Sequence, residues 1–162
     1  MALDPVRKSG ILNDLEIEIT EKYSATRLVG KMARGDFKAV DVVTAFCKRA
    51  AIAQQLVEAI ERAQRLNYAA NGKPIGPLHG LPISLKDTFK VIGHDVTAGC
   101  VAGLKLGPAK ESSSLVDLLI SAGAVLYVKT NIPQTMMTAD SDNNIFGRTL
   151  NPHNTEWTAG GS

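Results

Sequence analysis

The apolar run Val125–Lys129 is the feature that most constrains the fold of this chain. Consecutive apolar residues without alternation are typical of a strand that is buried on both faces, as in a parallel sheet. The residues before it predict a helix that Ser112 or Ser113 caps, that runs through Ala122 and that ends at Gly123. A helix, a glycine and a buried strand in this order form half of a βαβ unit. We therefore predict an α/β protein.

Helical spacing of apolar residues also marks the first half of the chain. Ser24 is expected to cap a helix that stops at Ala33-Arg34-Gly35, and Asp41 is the cap candidate of a second helix. A third helical stretch is expected from Glu58 to Asn67. Residues 1–20 are mixed polar and apolar, and they are predicted to form an irregular arm.

The residue composition changes in the second half of the chain. Turn-forming glycines and prolines precede Leu81–Lys86, which is predicted to be a strand entered through a proline. The last thirty or so residues are rich in Asn, Asp, Thr, Gly and Pro, and they are predicted to be loop. The predicted organisation is an N-terminal arm over residues 1–20 and a truncated domain over residues 21–162.

Composition excludes several classes of function. Hydrophobic residues make up 44% of the chain, the formal net charge is +2, and aromatic residues are only 5%. No basic stripe and no run long enough for a bilayer is seen, so we expect neither nucleic acid nor membrane as a partner. The two cysteines are in no CxxC motif, and we expect no metal site and no cofactor. The first residues resemble no signal peptide, so a cytoplasmic location is expected.

Lys86 ends the first predicted strand and has two interpretations. Side chains alternate faces along a strand, so Lys86 shares its face with Ser84 and not with Leu85. Lysine is rarely buried, and Lys86 would then simply leave the sheet for solvent. In the other interpretation it is desolvated, neutral and able to act as a base. Asp87 beside it is able to hold a cation.

Two further candidates lie in the predicted loops. The glycines of Gly160-Gly161-Ser162 would let the backbone approach a substrate closely, although a flexible Gly-Ser end has the same composition. Met136 and Met137 precede a polar loop. They are suited either to lining an apolar pocket or to filling the core.

Three segments together resemble the amidase-signature family. They are Gly76–Asp87, with Gly, Pro, Lys and Asp at the family's spacing, the stretch from Asn131-Ile132-Pro133-Gln134 to Asn151-Pro152, and the final Thr158–Ser162, which matches the start of a Gly-Gly-Ser-Ser-Gly-Gly signature. The likeness extends from about residue 20 onward and looks closest to fungal acetamidase-like members. It implies the N-terminal part of the amidase-signature fold, a mixed sheet flanked by helices.

The resemblance also implies roles for residues. Lys86 matches the catalytic base, and Ser162 matches the serine that passes a proton between this lysine and the nucleophile. Met136 matches a position that lines the substrate pocket. The nucleophilic serine of relatives lies in a second glycine-rich loop, which also supplies the N–H groups that stabilise the oxyanion. That loop has no match in this sequence.

Several alternatives follow from that departure. We expect a truncated amidase that is inactive alone and whose substrate, if it is active, is a small-molecule amide. Alternatively, the chain is one part of a split amidase that needs a companion chain, or a degenerate relative with a binding role, or an unrelated α/β binding module. A strand that relatives carry before the segment matching Glu58–Ala63 is also expected to be missing. Apolar sheet surface is then expected to be exposed.

Overall fold

The structure is a computed structural model, and it describes residues 10–51, 66, 73–151 and 154–161. Two compact units are distinguished. One consists of the described residues within 84–117 and 129–162, and the other of those within 3–83 and 118–128. None of the helices in these ranges combines the length and the apolar character needed to cross a membrane.

Among the described residues, the first elements are three helices: α1 at Asp14–Lys22, α2 at Ala25–Ala33 and α3 at Ala39–Ala51. Their apolar faces meet in a core of buried residues, namely Ile19, Leu28, Met32, Ala39, Val42 and Ala45. The predicted cap of α2 is confirmed, because the Ser24 hydroxyl accepts the N–H of Arg27. The predicted cap of the next helix is wrong. This helix begins at Ala39, so Asp41 lies in its first turn. There, its carboxylate interacts favourably with the positive end of the helix dipole.

Helix α1 corrects the prediction of irregular structure before residue 20. It starts with a capping box, in which Asn13 Oδ1 accepts the N–H of Glu16 and Glu16 Oε2 accepts the N–H of Asn13, each at 2.9 Å. Lys48 of α3 donates to both carboxylate oxygens of Glu16, at 2.6 and 2.9 Å. Both contacts hold α1 where spacing alone did not predict a helix.

The predicted half of a βαβ unit is confirmed. Strand β1 is Pro82–Lys86, helix α4 is Ser114–Ser121 and strand β2 is Val125–Thr130. The two strands pair. The N–H of Val125 donates to Leu81 O, and the N–H of Asp87 donates to Thr130 O. Residue numbers rise together in both strands, so the pairing is parallel.

The two serines expected to cap α4 make other contacts. The hydroxyl of Ser113 accepts the N–H of Lys90, and the hydroxyl of Ser112 accepts the N–H of Ile92, each at 3.1 Å. These bonds fasten the start of α4 to the segment that follows β1. A short 3₁₀ helix at Val101–Leu106 lies between them in the chain.

A second core contains α3 and β2. Val43, Cys47, Leu66 and Val125 are buried together, with Tyr127 packed against them. Cys47 is thus a small core residue, as its helical spacing predicted, and burial raises the pKa of its thiol. The predicted third helix, Glu58–Asn67, and the segment of the expected missing strand fall outside the described residues, apart from Leu66.

The sequence predicted that the last thirty or so residues are loop. That prediction is wrong in part, because the described residues of this segment include short paired strands. Strand β3 at Asp142–Asn143 pairs antiparallel with β4 at Gly147–Arg148. Strand β5 at Leu150–Asn151 pairs antiparallel with β6 at Asn154–Thr158. Each strand is short, so polar turn residues dominate the composition and conceal the pairing.

Candidate active site

Lys86 lies at the carboxyl end of β1, after the buried Leu85, and is half-buried, whereas Ser84 on the same face is exposed. The next residue fixes this end of the strand, because the N–H of Asp87 donates to Thr130 O of β2 at 3.1 Å. The lysine therefore stands on a paired strand end rather than on a free loop. Its role as a base stays a prediction.

The carboxylate of Asp87 organises the chain around this strand end. It is buried, and its Oδ2 accepts hydrogen bonds from the N–H of Thr97 at 3.0 Å, the hydroxyl of Thr97 at 3.0 Å and the N–H of Ala98 at 2.9 Å. The ammonium of Lys129 lies 3.2 Å from Oδ1. The cation that Asp87 was expected to hold is therefore a side chain of β2, and charge-assisted bonds of this kind are strong.

Two turns with unusual backbone conformation meet next to Asp87. Ala98 has φ 50°, Thr135 has φ 53° and Met136 has φ 58°. The N–H of Thr135 donates to Ala98 O at 2.9 Å, which joins the two turns. Positive φ in residues with a side chain costs of order 1–3 kcal/mol each, and such strain clusters at functional sites. The strain marks this place as the candidate site.

Met136 and Met137 are not core residues. Their exposed fractions are 50% and 80%. The core-filling interpretation of the two methionines is therefore wrong. The remaining interpretation, an apolar surface offered to a ligand, stays a prediction for Met136.

An asparagine network begins immediately after β2. Asn131 Nδ2 donates to Ser141 O at 3.2 Å, Gly147 O at 3.0 Å and Thr149 Oγ1 at 2.9 Å. The amide of Asn143 donates to Asn131 Oδ1 and to Ile132 O, at 2.5 and 2.7 Å. The hairpin of β3 and β4 is thus fastened to the end of β2.

Ser141 connects this hairpin with the Gly-Gly segment. It is 2% exposed, and its hydroxyl donates to Gly161 O at 3.0 Å. Its own carbonyl accepts the N–H of Thr149 at 2.8 Å, and its N–H donates to Asp140 Oδ1 at 2.8 Å. Ser162 itself falls outside the described residues. Asp87, next to Lys86, is thus bonded to Thr130, the residue before Asn131, and hydrogen bonds run on from Asn131 through Ser141 to the carbonyl of Gly161.

Sequence reasoning missed the polar residues that hold these segments. Asn131 belongs to a recognised motif, but spacing did not show that its amide reaches three loop groups. Ser141 was one polar residue in a polar loop, and nothing in its neighbours distinguishes it from an exposed serine. Within the described ranges, no group of three or more His, Cys, Asp and Glu side chains could hold a metal ion.

A family model described as Amidase matches residues 41–162. The chain belongs to the amidase family. The resemblance to amidase-signature proteins and the predicted α/β fold are thereby confirmed.

Individual amidases resemble the chain over nearly all of its length. It is 47% identical to a Gibberella moniliformis protein described as "Amidase", an alignment that covers 99% of this chain and 32% of the relative. It is also 47% identical to an Emericella nidulans "Acetamidase", with coverage of 99% and 31%. Among solved structures, a fatty acid amide hydrolase is similar with a TM-score of 0.90 and 35% identity, over 99% of this chain and 30% of that one. The chain thus spans about a third of these amidases.

Proposed function

We propose that the chain is the N-terminal part of a serine amidase that hydrolyses the C–N bond of a carboxylic amide. Lys86 supplies the base, and Ser162 supplies the hydroxyl that relays the proton. The observation that carries the proposal is the set of contacts from Asp87, beside Lys86, to Gly161, beside Ser162. Membership of the amidase family supports the reaction class.

The proposed chemistry needs a base because a serine hydroxyl is a poor nucleophile until its proton is removed. Neutral Lys86 takes a proton from Ser162, which takes one from the nucleophilic serine. The nucleophile attacks the amide carbon, the C–N bond breaks, and the amine leaves with the proton returned through Ser162. Water then attacks the acyl-enzyme and releases the carboxylic acid. No metal or organic cofactor takes part.

We further propose that Met136 contacts the substrate. Its side chain is half-exposed and lies on a strained turn, joined through Thr135 to the turn that Asp87 holds. An exposed thioether that is fixed by its backbone suits an apolar part of an amide substrate. The carboxylic amide is thus expected to carry an apolar acyl or amine group near this residue.

The nucleophile and the oxyanion N–H groups have no match among these 162 residues. We therefore propose that the 162-residue chain alone does not hydrolyse amides, and that sequence equivalent to the remaining two-thirds of relatives supplies both. This sequence is either continuous with the chain or carried by a companion chain. The alternative, a non-catalytic relative with a binding role, predicts that no such addition yields turnover.

The test joins residues 1–162 to the matching C-terminal two-thirds of the Emericella nidulans acetamidase. The hybrid is assayed with a small amide and an aryl amide. Lys86→Ala is expected to lower kcat by about 10²- to 10⁴-fold, the usual contribution of a positioned base. The matched control, Lys90→Ala, removes an exposed lysine four residues away and is expected to leave kcat unchanged. Equal loss in both variants, or none in Lys86→Ala, would contradict the role of Lys86.

The unjoined chain is assayed in parallel. We expect no turnover above that of its own Lys86→Ala variant. Turnover that Lys86→Ala abolishes would show that Lys86 needs no nucleophile from outside these residues, and the proposed division of the triad would be wrong.

A further inference from the structure

We infer that Gly99 is a positioning residue for Met136, and that it thereby sets the preference for the apolar part of the substrate. The inference rests on the proposed function, in which Met136 contacts the substrate, and it adds a residue to that contact. Gly99 is remote from Met136 in the sequence. Only the fold brings the turn that contains Gly99 against the turn that carries Met136.

The turn that contains Gly99 is built on the carboxylate of Asp87. The N–H of Cys100 closes this turn by donating to Thr97 O at 2.9 Å, and Gly99 is buried within it. Its central residues, Ala98 and Gly99, have φ of 50° and 70°, and positive φ at both positions is typical of a type I′ turn. The Thr97 hydroxyl donates to Asp87 Oδ2 and accepts the N–H of Gly99 at 3.1 Å. One buried hydroxyl thus links the carboxylate to the glycine.

The turn that carries Met136 rests on the first turn. Pro133 is buried, and its carbonyl accepts the N–H of Met136 at 3.0 Å. The residues between and including Gln134 and Met136 are exposed. The N–H of Thr135 donates to Ala98 O at 2.9 Å. An exposed methionine is therefore held by a buried proline and by a hydrogen bond to the neighbouring turn.

The absence of a side chain at Gly99 allows the two turns to touch. A Cβ added to Gly99 would lie 3.0 Å from Gln134 Cα, 3.1 Å from Pro133 O and 3.2 Å from Gln134 N. These are backbone atoms, so they cannot rotate away as the end of a flexible side chain can. An alanine at this position therefore displaces the turn of residues 133–136. Met136 moves with it, because its own N–H is bonded to Pro133 O.

The consequence of this contact is selectivity rather than the chemical step. A thioether whose backbone is fixed loses little freedom when a ligand binds, so its contact favours those amides whose apolar group reaches it. A small amide lacks such a group and gains nothing from the position of Met136. We therefore expect Gly99 to affect an aryl amide more than a small amide. A residue with a merely structural role would affect both substrates alike.

The first measurement is hydrogen exchange by NMR on the 162-residue chain, with Gly99→Ala. The amide of Thr135 is expected to exchange roughly tenfold faster than in the wild type, about the effect of losing one hydrogen bond. The matched control is Gly93→Ala. Gly93 has φ 84° and no atom within 4 Å of its added Cβ, so this variant adds strain without contact. Equal exchange of Thr135 in the two variants would overturn the inference.

The second measurement uses the hybrid enzyme and compares kcat/KM for the aryl amide with kcat/KM for the small amide. Gly99→Ala and Met136→Ala are each expected to lower this ratio roughly tenfold, as a changed apolar pocket does. If Gly99 acts through Met136, the double variant shows no further fall, because the contact is already lost. Gly93→Ala should keep the wild-type ratio. Additive effects of the two substitutions, or an unchanged ratio in Gly99→Ala, would overturn the inference.

Thr97→Val keeps the inference testable if Gly99→Ala does not fold. It removes the hydroxyl that links Asp87 to the N–H of Gly99 and adds no atom between the two turns. The aryl-to-small ratio should fall in the same direction, and Thr97→Ser, which keeps the hydroxyl, should restore it. A ratio that Thr97→Val leaves unchanged would contradict the inference.

The same assays separate this inference from the proposed function. If Gly99→Ala keeps the wild-type ratio while Lys86→Ala abolishes turnover, the positioning role is wrong and the proposed mechanism stands. If Lys86→Ala keeps full turnover, the proposed mechanism fails, and the ratios of the Gly99 and Met136 variants still decide whether Gly99 acts on the substrate through Met136.

Discussion

Asp87 and Thr97 are joined by two hydrogen bonds to the same oxygen: Asp87 Oδ2 accepts the N–H and the hydroxyl of Thr97, each at 3.0 Å. The N–H of Ala98 completes a set of three donors on this oxygen, and Lys129 approaches the other. Among the described residues, the contacts of this carboxylate are all with donors. An ionised carboxylate fits this environment because all of its positions accept hydrogen bonds.

Asp87→Asn is expected to destabilise the chain by about 3 kcal/mol. Whichever way the new amide turns, its NH₂ group faces either the donors of residues 97 and 98 or the ammonium of Lys129, and one side loses its acceptor. Urea unfolding measures the change. Glu111→Gln is the control, because the pair of Glu111 with Lys90 is exposed and its loss is expected to cost under about 1 kcal/mol. Similar losses of stability in the two variants would show that the buried contacts of Asp87 with residues 97, 98 and 129 do not stabilise the chain more than an exposed ion pair does.

Gly123→Ala is expected to destabilise the chain by roughly 2–4 kcal/mol, combining backbone strain and steric overlap. Gly123 has φ 92°, and an added Cβ would lie 2.9 Å from His79 Cα. Gly93 has a similar φ of 84° with no atom within 4 Å of its added Cβ. Gly93→Ala therefore measures strain alone and should cost about 1–2 kcal/mol. Thermal unfolding measures the loss of stability in both variants. Equal losses would show that residue 79 does not lie close enough to Gly123 to clash with an added Cβ.

His79 makes stability dependent on pH. Its side chain is buried, and burial lowers the pKa of its imidazole. The unfolded state then binds a proton more readily than the folded state between the ordinary value, about 6.5, and the lowered one. The contribution of neutral His79 to the free energy of unfolding is therefore fully present above about pH 6.5, and it declines as pH falls through this window.

His79→Asn tests that dependence. The N–H of Ile75 donates to His79 Nδ1 at 3.3 Å, and an asparagine oxygen is able to accept the same bond without titrating. Urea midpoints between pH 5 and 7.5 should decline more steeply for the wild type than for the variant, and the difference between the two curves isolates residue 79 from other acid effects. Parallel curves would contradict the prediction.

Glu16→Ala is expected to cost about 2 kcal/mol, since it removes one arm of the capping box and the partner of Lys48 together. Asp14→Ala is the control. It removes a carboxylate from the same first turn of α1, where the side chain is exposed and only the helix dipole is affected, at about 0.3–1 kcal/mol. Chemical unfolding followed by far-UV circular dichroism measures both. Equal effects would show that α1 does not depend on its pairing with α3.

The elements predicted correctly have strong local signals. Ser24 precedes an amphipathic helix, and the four residues Val125–Val128 are all apolar. Such patterns favour a helix or a strand through residues that are near one another in sequence, so the predicted element also forms in the complete fold. Helix α1 also carried a local signal, the Asn13 and Glu16 pair at capping-box spacing, but its few apolar residues did not form a clear stripe. Its position depends on Lys48, which is 32 residues away along the chain.

The candidate site divides in the same way. Lys86, Ser162 and Met136 were predicted as site residues because they stand in segments that resemble the amidase-signature pattern, and their roles stay predictions; the strand that carries Lys86 was predictable from its residues. Exposure of Met136 was not, since methionine suits a core as well as a surface. The hydrogen bonds of Asp87 with residues 97 and 98 were also not predictable, because a carboxylate after a strand is usually solvated.

The sequence by itself determined the family, the α/β order of elements and the residue types available for amide chemistry, because motif order and hydrophobic periodicity are properties of the chain. Only the tertiary structure decided which polar groups are buried and which of them meet. The hydroxyl of Ser141 and the carbonyl of Gly161 lie 20 residues apart in sequence. Their hydrogen bond exists because the Asn131 network brings the hairpin to the end of β2, and no local preference of either residue encodes that placement.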